Sequence, residues 1–430
     1  MLKRPIESTG GLARSLTLLL ALVALTPAAR ANDPLALYLT WQQDPTTTMT
    51  VQWHTLMDVS ATSLMYRPLG ETTWQTQSGA YTPFPDTPRH IHAVEITGLD
   101  PNRDYEFRLP GYSDTYKFRT MPADSSQPIN FVVGGDIRQS QSRYRDMHDQ
   151  VAKLDPMFAV IGGDLAYDDG RADRVNNWHQ FFDAWRDRMV TPDGRLIPML
   201  PVAGNHELTG GYTDSNDPNA GRTYFFDLFK FPGQPGPVAM DFGNYLSLVT
   251  LDTGHFVPVP EQNEWLDETL AERRERDVDH ILPIYHIPAY PSSRDFDHRR
   301  ITEVRDEWTP IFDKYDIDIA FEHHDHAYKR TPRIRAGEID PTGVLYIGDG
   351  AWGASTRDVH DPDEAWWLDE AASVNHVIHM TILGEYRLLQ VIDINGNIID
   401  EYGFIPEPTS AALLLAGGLS LFARRRRQSA

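Results

Sequence analysis

Five short motifs hold the residues best equipped for chemistry. They are Gly134-Gly135-Asp136, Gly162-Gly163-Asp164-Leu165-Ala166-Tyr167, Gly204-Asn205-His206-Glu207, the lone His286 and Glu322-His323-His324-Asp325-His326. They offer carboxylate, amide, phenol and imidazole groups but no thiolate, because the chain has no cysteine. Oxygen and nitrogen donors of this kind suit hard or borderline metal ions. There are more donors than one ion can use, and a carboxylate can bridge two. A metal pair roughly 3.5–4 Å apart clamps both the attacking and the leaving oxygen of an in-line displacement. An Asp after a glycine pair, taken singly, reads as a turn residue or a helix cap. Five independent turns have no reason to be so rich in metal-capable side chains.

The elements that position these motifs are legible as well. Each motif follows an apolar run: Ile129–Val133, Met157–Ile161, Pro198–Val202, Ile281–Tyr285 and Ile317–Phe321. Buried strands read as short continuous apolar runs. In α/β folds ligands bind just beyond the carboxyl ends of strands, so the motifs should converge on one sheet edge. The adjacent glycines permit sharp turns and close backbone approach. Amphipathic stretches at 143–154, 173–189 and 261–276 predict intervening helices. Residues 34–121 differ. Their period-two alternation, as in Met49-Thr50-Val51-Gln52-Trp53, predicts about seven strands and a β-sandwich. His54, His90 and His92 stand alone on these strands and read as satisfied structural histidines. Asp124–Pro128 reads as a linker.

The chain has 430 residues and a net charge of −22, with 41% hydrophobic residues. That length suggests two or three domains, and the apolar content excludes wholesale disorder. An acidic surface repels phosphate backbones, which argues against a nucleic-acid partner. Residues 1–31 read as a signal peptide, with Lys3, Arg4 and Arg14, an apolar core from Leu16 to Leu25 and a cleavage site at Ala29-Arg30-Ala31. At the other end Pro406-Glu407-Pro408 precedes an apolar stretch, Ala411 to Ala423, and then Arg424–Arg427. These three parts in order resemble the PEP-CTERM sorting signal. That resemblance implies an exosortase-type processing enzyme and transient membrane association. It also implies export to the cell surface, extracellular matrix or periplasm of a Gram-negative bacterium. The alternative is a plain tail anchor. Each terminal segment carries a net +3, so residues 32–405 carry −28.

The five loops together resemble the metallophosphoesterase pattern, and Tyr167 is the mark of purple acid phosphatases. Gly98–Arg108 looks like the last hairpin of a fibronectin type III domain, with Tyr105 at its tyrosine corner. The resemblance covers roughly residues 34–405. It implies an α/β (α+β) metallophosphoesterase fold, a four-layer β-sandwich flanked by helices. An all-β immunoglobulin/fibronectin III-like sandwich would precede it. The implied domains are a signal peptide at 1–31, the fibronectin III-like domain at 32–123, the catalytic domain at 128–405 and the sorting segment at 406–430. By the family pattern Asp136, Asp164, Tyr167 and His326 hold Fe(III). Asp164 bridges to a second divalent ion (Zn, Mn or Fe), which Asn205, His286 and His324 complete. His206 stabilises the transition state or protonates the leaving alcohol, and Glu207 orients His206 or its loop. The implied reaction is hydrolysis of a small phosphate monoester by a metal-bound hydroxide at acid pH.

Three positions depart from the pattern or sit at its edge. Arg138 replaces a glycine, where its guanidinium could grip substrate phosphate or point outward. His323 replaces another glycine. His324 and His326 are taken as the ligands because alternate residues of an extended segment point to one side. His298 lies in a polar loop, where it is either a substrate-contacting catalytic residue or a solvated histidine. A phosphodiesterase or nucleotidase on the same centre, or an inactive cell-surface protein, are the alternative functions.

Overall fold

The computed structural model describes residues 34–405 apart from 57–61, 216–219 and 349. The proposed signal peptide at 1–31 and sorting segment at 406–430 lie outside the described residues. No helix among the described residues is long and apolar enough to cross a membrane.

The alternating N-terminal part forms eight strands among the described residues, from Leu35–Thr40 to Tyr116–Arg119, in two four-stranded antiparallel sheets. At its turn the Tyr105 hydroxyl accepts the Asp100 N–H at 2.9 Å. His92 is satisfied, with Thr62 and Thr55 hydroxyls each 2.9 Å from its ring nitrogens. His54 departs from expectation: it is buried against Tyr38, Phe84 and Phe182, and neither ring nitrogen has a partner among the described residues.

This unit is not an independent bead on a linker. Tyr38 stacks on Phe182 at 4.3 Å and Trp41 packs edge-on against Phe158 and Phe242. The Tyr38 hydroxyl and the Gln52 amide both donate to the Leu228 carbonyl. The hydrophobic core is therefore continuous from Ala36 to Ile392. Each fully buried large apolar side chain across this seam contributes on the order of 1.5–3 kcal/mol.

Beyond it lie two larger sheets. In the first, Met199–Val202, Ala159–Gly162 and Ile129–Gly134 run parallel, followed by antiparallel His376–Leu383, Tyr386–Asp393 and Ile398–Phe404. In the second, Leu246–Thr250, His280–Ile284, Ile319–Glu322 and Val344–Gly348 are successive parallel neighbours. The second sheet divides its side chains by parity. Leu248, Leu282, Phe321 and Ile347 join the core shared with the first sheet. Val249, Ile281, Ala320 and Tyr346 face a separate core containing Leu266, Leu270, Val304, Trp308 and Phe312. Period-two alternation thus makes one sheet serve two cores, and the result is helix, sheet, sheet, helix.

The expected helices appear at Gln141–Lys153, Asn176–Arg188 and Asn263–Glu275. A further helix, Arg299–Lys314, was not expected. It starts where a polar loop was read and tolerates Pro310 within it.

Candidate metal centre

All five apolar runs end at one edge. The first sheet delivers Asp136, Asp164 and Asn205, and the second delivers His286 and the 323–326 turn. The backbone there is forced into the left-handed region: φ is 58° at Asp136, 55° at Asp164, 54° at Tyr167, 78° at His324 and 59° at His326. Non-glycine residues rarely adopt this conformation, and such strain clusters at functional sites. It also corrects the reason given for His324 and His326. The segment is not extended, and two left-handed residues aim the rings. The glycines are needed for approach: a Cβ on Gly163 would lie 2.4 Å from His286 Nδ1, and one on Gly162 would lie 1.9 Å from the His323 ring. His323 therefore fills the space beneath the Gly135 and Gly162 loops, with its Nδ1 3.0 Å from the Tyr285 carbonyl. It is a packing residue.

The structure brings the proposed ligands together in two buried groups. One is Asp164, His286 and His324; the other is Asp136, Asp164 and His326, and within each the donor atoms lie within 4.8 Å of one another. Asp164 is the shared member. His326 Nε2 lies 3.0 Å from Asp136 Oδ1, and the Tyr167 hydroxyl is 3.4 Å from that oxygen and 3.3 Å from His326 Nε2. On the other side His286 Nε2 is 3.4 Å from Asp164 Oδ1, 3.3 Å from Asn205 Oδ1 and 3.1 Å from His324 Nδ1. The backs of the rings are tied down. His286 Nδ1 bonds the Gly162 carbonyl at 2.8 Å and His326 Nδ1 the Ser355 carbonyl at 3.1 Å. With Nδ1–H so engaged, Nε2 of each ring faces inward and would present its lone pair to a cation that displaces any proton there, as metal-ligating imidazoles do.

The electrostatics suit cations. Against the cost of burial, His286 holds Asp164 well below the usual carboxylate range, and Asp164 in turn lifts His286 to about 9. Burial, then Asp136 and Asp164, push the Tyr167 hydroxyl well above 10, with Arg357 pulling the other way. A bound cation reverses that push, since metal ions invert the local pKa logic. The residues present therefore fit a two-metal centre, with a phenol on one side only.

Glu207 proves to be the brace of the site. It is fully buried, and its carboxylate accepts the N–H groups of Asp164, Leu165 and Gly204, each at 2.8 Å. One side chain thus locks the loops of Asp164 and Asn205 together. Burial and Asp164 raise its pKa to about 8, against the pull of the Gly204 N–H. His206 is 37% exposed at its side chain, which leaves it accessible to substrate. Its Nε2 lies 3.9 Å from Asp164 Oδ2 while Nδ1 lies 2.6 Å from Asp169 Oδ1. Asp169 was missed from sequence. The only signal was a pair of acids directly after Tyr167 and before Gly170.

Two clefts flank Asn205 and Tyr212. One, of about 530 Å³, is lined by His324, Arg294, His298 and Arg357 among others. The other, of about 680 Å³, is lined by His206 and Asp169. His298 is exposed at the rim of the first cleft and caps the helix it precedes by accepting the Arg300 N–H at 3.4 Å. Arg138 lines neither cleft. Its guanidinium hydrogen-bonds Gln180, so the phosphate-gripping alternative is corrected.

Residues 34–120 match the purple acid phosphatase N-terminal domain, and residues 129–328 match the calcineurin-like phosphoesterase family. The chain is 28% identical over 294 residues to probable purple acid phosphatase 20 of Arabidopsis thaliana, covering 66% of each. It is 27% identical over 343 residues to an uncharacterised protein of Mycobacterium tuberculosis, covering 70% of this chain and 62% of that one. The chain thus spans less than two thirds of the length of these curated relatives. A purple acid phosphatase from yellow lupin (Lupinus luteus) seeds shares the fold, with a TM-score of 0.73 at 19% identity over 86% of this chain and 74% of that one. The chain accordingly carries a stretch similar to the purple acid phosphatase N-terminal domain ahead of one similar to the calcineurin-like phosphoesterases, and it is similar along its length to purple acid phosphatases.

Proposed function

We propose that this chain is an exported acid phosphatase that hydrolyses phosphate monoesters. Asp136, Asp164, Tyr167 and His326 would hold Fe(III), while Asp164, Asn205, His286 and His324 would hold a divalent ion. The observation that carries the reading is the sharing of Asp164 between two buried donor groups, with Tyr167 on one side and His206 at the mouth. When bound, two such cations neutralise charge on the phosphoryl oxygens and lower the pKa of the attacking water.

The chain's own residues do the rest. Asp169 accepts a hydrogen bond from the Nδ1–H of the protonated His206 ring and so fixes it with Nε2–H facing the site. His206 then gives its Nε2 proton to the departing ester oxygen. Glu207 holds the Asp164 and Asn205 loops in register while charge shifts. Export rests on the signal-like residues 1–31 and the sorting-signal-like residues 406–430. The open clefts on both sides of Asn205 leave room for a second ester substituent, which favours a phosphodiesterase as the second reading.

The test is the rate on an aryl phosphate monoester against a diaryl diester, for wild type and Asp164→Asn. The proposal expects faster monoester hydrolysis, abolished by the substitution together with metal binding. A variant with near-normal activity and metal content would overturn the shared-ligand assignment.

A further inference from the structure

We propose that Arg357 grips the substrate phosphoryl group and sets the preference for monoesters over diesters. The inference rests on the phosphatase reading above and extends it to a residue that no motif singled out.

Five arginines line the two clefts, and four are already engaged. Arg294 lies 3.2 Å from the buried Asp325. Arg300 pairs with Asp214 and sits 4.2 Å above the Tyr212 ring. Arg171 pairs with Asp173, and Arg222 with Asp86. Arg357 alone has no carboxylate partner and no side-chain hydrogen bond among the described residues, although it is half-buried. An unpaired guanidinium held partly out of water is costly unless an anion meets it.

Its placement says which anion. The Arg357 backbone N–H donates to the His326 carbonyl at 3.2 Å, so its loop is fixed to the turn that carries two ligands. The side chain lines the cleft beside Asn205 and His324, on one side of the centre. Arg357 therefore lines the cleft that opens onto the Asn205 and His324 side of the donor groups, where a phosphoryl group would enter. A monoester has three non-bridging oxygens. With two directed to the centre, the third needs a donor, and a guanidinium fork matches it. In a diester that third position is an uncharged ester oxygen, which accepts poorly from a cation. The guanidinium thus takes the role that sequence had allowed Arg138, whose own guanidinium is turned to Gln180.

The experiment uses the metal-loaded protein with Arg357→Gln and Arg357→Lys. Metal content, kcat and KM on an aryl monoester and a diaryl diester, and calorimetric Kd for inorganic phosphate are measured together. The expectation for Arg357→Gln is full metal content, monoester kcat/KM lower by about 100-fold, nearly unchanged diester kcat/KM, and phosphate binding weaker by about 10-fold or more. Arg357→Lys recovers part of each loss. Equal losses on both esters, unchanged phosphate binding, or loss of metal from the variant would each overturn the assignment. A wild-type protein that hydrolyses neither ester would instead overturn the phosphatase reading itself.

Discussion

Replacing Glu207 by Gln changes one atom's chemistry at the point where two ligand loops are joined. In the structure Glu207 Oε2 accepts both the Asp164 and the Gly204 N–H, and Oε1 accepts the Leu165 N–H, all at 2.8 Å. A glutamine has a single acceptor oxygen. Its best orientation keeps the pair at the Oε2 position and turns its NH2 against the Leu165 N–H. Leaving that buried donor unsatisfied costs about 1–3 kcal/mol. The two retained bonds change from charge-assisted to neutral, losing about 1 kcal/mol each. The sum is about 3–5 kcal/mol of stability in the metal-free protein, read as a lower urea midpoint. The measurement belongs above pH 8, where the carboxylate is ionised without any help from cations. Because Asp164 itself hangs on this brace, metal affinity should also fall by about 10–100-fold. If Glu207→Gln unfolded at the wild-type urea concentration and titrated with metal as wild type does, the bracing role would be refuted.

Two further outcomes follow from other contacts. Asp169→Asn removes the carboxylate 2.6 Å from His206 Nδ1, so kcat on an aryl monoester should drop by about 100-fold with metal content unchanged; an unaltered kcat would mean that the pair does not handle the leaving-group proton. His148 is fully buried against Tyr144, Trp185 and Trp352, and burial depresses its pKa from 6.5 to about 3. The unfolded chain therefore takes up this proton first as pH falls. The stability it contributes is intact above pH 6.5 and is lost progressively down to about 3. Between pH 6.5 and 5 the loss is about 2 kcal/mol. The stability difference between His148→Leu and wild type, from urea unfolding, should shift by that amount in the variant's favour, and a difference flat with pH would refute it.

What sequence could show here was local. Asp136, Asp164, Tyr167, Asn205 and His286 were legible because each follows an apolar run within a few residues, and the strand direction then dictates where it goes. The parallel core was legible for the same reason. Other features depended on contacts across the chain. Glu207 resembles a solvated helix-start acid until two backbone N–H groups of the distant Asp164 loop join that of nearby Gly204 on its carboxylate. Asp169 reads as a turn residue until His206 arrives from 37 residues away. The direction of the Arg138 guanidinium depends on Gln180, on a neighbouring helix, to which it hydrogen-bonds. His323 was ambiguous next to two histidines, and only the glycines above its ring decide its place. The helix Arg299–Lys314 was missed although Ile301, Val304, Trp308 and Phe312 recur at helical spacing, because Pro310 and a polar start obscured the pattern.

The central claim is a two-metal centre in which the Tyr167 phenolate binds ferric iron on one side of Asp164. Metal analysis together with the visible spectrum of the purified protein tests it most directly. The account predicts two metal ions per chain, at least one of them iron, and a visible charge-transfer band that Tyr167→Phe abolishes while Asp136, Asp164 and His326 remain in place. A colourless protein carrying two divalent ions, or a coloured protein whose band survives Tyr167→Phe, would contradict it.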